Sequence, residues 1–76
     1  MDVSVLIGIK DLNFPDQGKT WMPARLPIAP LPGDTLIVRH GDGEWTVTVA
    51  SRTIRESASE GDALVLDCEG RFQPLG

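Results

Sequence analysis

A chain of 76 residues, 41% of them apolar, holds one small core and no second one, and a chain this short buries only about 60% of its unfolded surface. Seven basic against eleven acidic residues leave a formal charge of -4. No Lys/Arg cluster stands against that excess, which disfavours a nucleic-acid partner. A single cysteine excludes an intrachain disulfide, and a small domain without that staple is expected in a reducing compartment, the cytoplasm.

The chain starts MDVSVLIGIK. Asp2 stands where a secretory leader would be basic, and the apolar run Val3 to Ile9 is too short to cross a bilayer. A soluble protein with no membrane partner is expected. Val3, Val5, Ile7 and Ile9 alternate with Ser4, Leu6, Gly8 and Lys10, the period of a strand with one buried face. Turn chemistry fills Asp11 to Lys19. Phe14-Pro15-Asp16-Gln17 suits a type I turn, with Gly18 free to take positive φ after it. Thr20 to Leu26 forms a second strand, which Pro23 demotes to an edge because proline donates no ladder bond. Pro27, Pro30 and Pro32 then stiffen a crossover, packed on the core by Leu26, Ile28 and Leu31. Pro27 and Pro30 also spell a bare P-x-x-P, but Arg25 does not stand at the usual place of a basic anchor.

The strongest local signal is PGDTLIVRHGDGEWTVTVA, Pro32 to Ala50. Asp-Gly between two alternating apolar runs marks a hairpin. A two-residue loop at Asp42-Gly43 sets His40 opposite Trp45, Val38 opposite Val47 and Leu36 opposite Val49, and a four-residue loop gives the same pairing. These six residues share one face, with His40 stacking on Trp45. The strand runs on to Ile54, and a β-bulge near Ser51-Arg52 would return Ile54 to the core. Glu56 to Asp62 is polar loop, Ala63 to Cys68 the last strand, and 70–76 a short tail.

Chemistry is sparse. His40 and Cys68 are the only His or Cys, too few for a metal site. Cys68 falls on an apolar strand face, where a thiol stays protonated and inert. Asp42 and Glu44 sit at a solvated turn with nothing to tune them for proton transfer. No catalytic residue and no cofactor is assigned, and an enzyme is not expected.

The run LPGDTLIV, then WTVTV after a tight turn, then ALVLD, resembles a pattern of small bacterial and phage proteins. In that pattern a P-x-G-D/E turn opens a strand and W/Y-x-V-x-x-V follows the hairpin. The likeness spans roughly residues 31–68, and implies an SH3-like small barrel with no particular activity.

The fold expected is therefore all-β, one SH3-like barrel of about five antiparallel strands whose closure removes exposed edges. The expected function is a non-catalytic protein-binding or assembly module, with a protein partner or self-association. Phe14, Trp21 and Arg25 form its contact surface, because aromatics and arginine dominate binding hot spots. They are expected to meet at the edge beside the irregular second strand. Two alternatives stand beside this reading. One is an acidic inhibitor that imitates nucleic acid through Asp42, Glu44, Glu56, Glu60 and Asp62. The other is a small-barrel nucleic-acid binder.

Overall fold

The computed structural model describes residues 2–55 and 64–75. Within them the chain forms β1 (Val3–Asp11), β2 (Thr20–Leu26), β3 (Thr35–His40), β4 (Gly43–Ile54) and β5 (Leu64–Pro74). The strands make one sheet in the order β2-β1-β5-β4-β3, curled into a half-barrel. The architecture is all-β, as the alternation requires. Two details differ from expectation. β1 and β5 run parallel, with Ile7 beside Leu66, while every other neighbouring pair is antiparallel. Closure is also incomplete, since β2 and β3 are the two outer strands of the sheet.

The concave side of the curl holds the core. Val5, Ile7 and Ile9 of β1, Met22 of β2, Val38 of β3, Trp45, Val47 and Val49 of β4, and Leu64, Leu66 and Cys68 of β5 are all buried. Each comes from the apolar phase of its strand, so burial follows from period-2 patterning. Phe72 packs on Trp45 with ring centroids 5.3 Å apart and planes tilted by 60°, a favoured aromatic geometry. Strand β5 therefore reaches Pro74, where the sequence suggested a tail from Gly70. The Trp45 indole N–H is buried with no hydrogen-bond partner among the described residues, a deficit of about 1–3 kcal/mol that the ring's burial has to outweigh.

The central hairpin forms, but its register differs from the expected one by two residues. Val38 lies opposite Trp45, Leu36 opposite Val47 and His40 opposite Gly43. The loop is Gly41-Asp42, with positive φ at Gly41 and at no non-glycine residue among those described. Glycine at the first central position is the type II′ hairpin signature. Gly43 serves packing instead: a Cβ there would collide with the Phe72 ring and come within 2.7 Å of the Gln73 carbonyl oxygen. A shift of two leaves every side chain on its face, so the core assignment survives. His40 does not stack on Trp45; it is exposed at the hairpin's end.

Other turns carry the chemistry that their sequence announces. Leu31-Pro32-Gly33-Asp34 closes with Asp34 N–H donating to the Leu31 carbonyl at 3.0 Å. Gly33 takes φ 95°, and proline followed by a positive-φ glycine defines a type II turn. The Asp34 carboxylate accepts the Leu31 N–H at 2.8 Å and tightens it. Phe14 to Gln17 also closes as expected, with Gln17 N–H on the Phe14 carbonyl at 3.1 Å, whereas Gly18 keeps negative φ.

The crossover packs on the core through Leu26, but not through the other two residues expected. Ile28 and Leu31 are exposed, while Pro30 is buried and its carbonyl accepts Arg52 Nη1 at 3.2 Å. A polar tether thus takes the place expected of Ile28 and Leu31. The bulge falls between Val49 and Ser51 and sets Arg52 opposite Leu66 and Ile54 opposite Leu64. Register thus returns Ile54 to the core's phase, yet it remains 71% exposed because it lies at the end of β4, past the buried side chains.

Strand β5 depends on Gly70. A Cβ at that position would sit 2.6 Å from Val47 Cα and collide with the Thr46 carbonyl oxygen. Backbone atoms cannot swing aside. Gly70→Ala is expected to destabilise by about 3 kcal/mol or more. Val47→Ala should cost about 1–3 kcal/mol, and Thr46→Ala, on the exposed face, less than half as much. Urea midpoints of the three variants check that order.

Candidate binding surface

The convex face of the sheet carries the exposed aromatic. Trp21 lies opposite Gly8 in the β1–β2 register and is 51% exposed. Its ring covers Gly8: a Cβ there would meet Trp21 Cζ3 at 2.6 Å. Glycine in the middle of a strand often marks such a close approach. The ring is held from a second side by Lys19, whose Nζ stands 5.6 Å from its centroid, within cation–π range. Lys19 also forms an ion pair with Asp67. Asp67 is the parallel partner of Gly8, and its second carboxylate oxygen accepts the Ser51 hydroxyl at 3.4 Å. A single row therefore crosses four strands, Trp21, Gly8, Asp67 and Ser51, with Lys19 bridging its first and third members.

Beside that row runs an apolar one, Pro23 on β2 opposite Leu6 on β1, itself beside Val65 on β5. Arg25 follows two residues beyond Pro23 and is exposed. Trp21 and Arg25 share the convex face by alternation, separated by about 13 Å of strand rise. Phe14 is exposed on the turn between β1 and β2, and its neighbour Asn13 accepts Arg71 Nε at 3.2 Å. Trp21 and Arg25 thus lie along β2, while Phe14 stands on the preceding loop, whose Leu12 and Asn13 are bonded to β5. The three also do not line a groove. A cleft of about 260 Å³ lies between Leu26 at the end of β2, the Pro27–Pro30 crossover, and Asp34 to Leu36 at the start of β3. The prolines were read only as a stiff crossover; the curl, which brings the ends of the two outer strands to one cleft, is what places it.

Of the acidic residues considered, Asp42 occupies the hairpin loop and its carbonyl accepts the Leu75 N–H at 2.9 Å. Glu44 lies opposite Arg39. Glu56, Glu60 and Asp62 lie outside the described residues. Cys68 is buried, and its thiol pKa is pushed up to about 11, first by burial and then by the neighbouring Asp67 charge. It pairs with Val49, whereas His40 pairs with Gly43. Six residues of β4 separate those rungs, about 20 Å, so His40 cannot act as base for Cys68. No group of three His, Cys, Asp or Glu side chains suited to a metal ion occurs among the described residues. Those residues also contain no helix long and apolar enough to cross a membrane.

Comparison with protein-family models, with curated proteins and with solved structures finds no match to this chain.

Gly8→Ala tests the aromatic platform. Trp21 is a side chain that can swing away, so the variant should fold with a loss of about 1–2 kcal/mol, in the range of a forced local rearrangement. Its indole should become more exposed, read as a red shift in tryptophan emission. Trp21→Phe, compared alongside, removes Trp45 as the source of any change.

Cys68 yields a prediction about alkaline stability. Its folded pKa lies above the ordinary 9.0, so the folded state holds the proton more tightly than the unfolded state. That contribution is complete below about pH 9 and is lost as pH rises towards 11. Urea stability should fall across that window more steeply in the natural protein than in Cys68→Ala. A thiol reagent at pH 8 should label Cys68 slowly until the protein is denatured.

Proposed function

We propose that this protein is a non-catalytic protein-binding or assembly module, affiliated with the SH3-like small barrels of bacterial and phage proteins and working in the reducing cytoplasm. The observation that carries the reading is Trp21, half exposed yet fixed against Gly8 and Lys19. A free surface tryptophan would lose rotamer freedom on binding. One already seated loses little, which favours use as an anchor. Pro23 and Leu6 extend the apolar ground beside it, and Arg25 adds a cation able to grip a partner's carboxylate. The residues that alternation exposes on this face therefore combine an aromatic, an apolar strip and an arginine, the composition of a binding hot spot with a polar rim.

The nucleic-acid mimic gains less support. Of its carboxylates, Glu44 faces Arg39 across the hairpin, so Asp42 and Glu44 do not form an unbroken acidic row.

The test is affinity capture from a bacterial host or phage-infected lysate, followed by direct binding of whichever protein is retained. Trp21→Ala should weaken that binding by about tenfold or more, the effect of losing a hot-spot side chain. Arg25→Ala should weaken it less, and Asp42→Asn with Glu44→Gln should leave it within about twofold. Affinity should change little between low and moderate salt. A steep fall with salt, together with loss in the Asp42/Glu44 variant, would replace this reading with the acidic mimic.

A further inference from the structure

The half-barrel leaves two outer strands, and they differ in a way that points to a second copy of this chain. Strand β2 carries Pro23 in its middle, and proline is a standard guard against pairing at an edge. Strand β3, TLIVRH, contains no proline and no bulge along its pairing with β4, and its central residue Ile37 is 64% exposed.

Hairpin geometry says which backbone groups of β3 are open. With a two-residue loop, His40 and Gly43 exchange backbone hydrogen bonds, and the pattern alternates from there. Leu36, Val38 and His40 are therefore bonded to β4. At the strand's start the Asp34 carbonyl continues the same phase by accepting the Val49 N–H at 2.9 Å. Thr35, Ile37 and Arg39 turn their N–H and C=O groups away from the sheet. Their side chains all lie on the convex face, and all three are exposed.

We propose that β3 pairs antiparallel with β3 of a second copy about a two-fold axis at Ile37, joining two half-barrels into one continuous sheet. In this register Ile37 meets its own counterpart and Thr35 meets Arg39, so all three open residues on each strand find backbone partners. Asp34 falls opposite His40 on the concave side, at the mouth of the cleft that Asp34 and Leu36 help to line. Arg39 of each copy stays opposite a threonine, with Glu44 beside it on its own sheet. A slide by two residues in one direction brings Arg39 against Ile37 and sets the two arginines diagonally across the seam. In the other direction it sets Arg39 against Gly33, beyond the strand's end. The chain's own pattern thus favours one register. This inference deepens the assembly reading and rests on it, but it uses the edge opposite to Trp21.

The experiment combines sedimentation over a concentration series with site-directed cross-linking. The natural protein should approach twice the monomer mass as concentration rises. Ile37→Lys places two like charges face to face and should raise the dimer dissociation constant at least tenfold, with an unchanged far-UV spectrum because Ile37 is outside the core. Trp21→Ala should leave dimerisation unaltered. In a Cys68→Ser background, Ile37→Cys should form a disulfide dimer under mild oxidation, since directly paired antiparallel residues have Cα atoms about 5.5 Å apart. Arg39→Cys should not, because its two copies stand several residues apart. A protein that stays monomeric at every concentration, or a dimer that persists in Ile37→Lys, overturns the proposal. So does a dimer that links faster through Arg39→Cys. Dimer loss in Trp21→Ala with retention in Ile37→Lys would assign self-association to the convex face, leaving the assembly reading intact and this inference wrong.

Discussion

Strand β5 has to lie flat between β1 and β4, and the rest of the molecule follows from that fit. Leu64, Leu66 and Cys68 carry its apolar phase into the core. At the next position in the same phase Gly70 stands against Val47, where no other residue has room. Removing one side chain lets two backbones approach, and the reward is an inner strand paired along both sides. Without it the β1–β2 and β3–β4 hairpins would each offer one apolar face to water, an arrangement too small to be stable alone.

Much of this was legible in the sequence. Period-2 patterning located the strands in order, and the core residues named from the central hairpin are buried, apart from half-buried Leu36 and exposed His40. Faces were recovered because any even shift preserves them. Register was not, because two glycines flank Asp42 and local chemistry cannot say which one turns. The answer came from Phe72, about thirty residues away along the chain, whose ring occupies the space over Gly43. Strand direction at β1 and β5 was equally hidden, since alternation reads the same parallel or antiparallel.

The surface was harder to read than the core. Trp21 could have been buried on composition alone, and what decided its place was Gly8 on the neighbouring strand. A glycine amid β-branched residues was the available signal, a gap on the outward phase that something large could cover. Trp21 and Arg25 are close in sequence, but a strand separates such residues by its rise and keeps only alternate ones on one side. The role of Arg52 was hidden for a related reason. One bulged residue turned its long side chain inward, where it holds the Pro30 carbonyl and anchors the crossover.

The parallel pairing of β1 with β5 also sets a timetable for synthesis on the ribosome. Ile7 and Leu66 touch across most of the chain's length, so the inner seam of the sheet cannot close until residues 64–74 have left the exit tunnel. Until then the earlier hairpins carry Val5, Ile7, Val47 and Val49 uncovered. A nascent chain in that condition is exposed to association with its neighbours. The polar segment before β5 and the acidic excess of the second half would keep such chains apart, a role for that charge that ends once the last strand is seated.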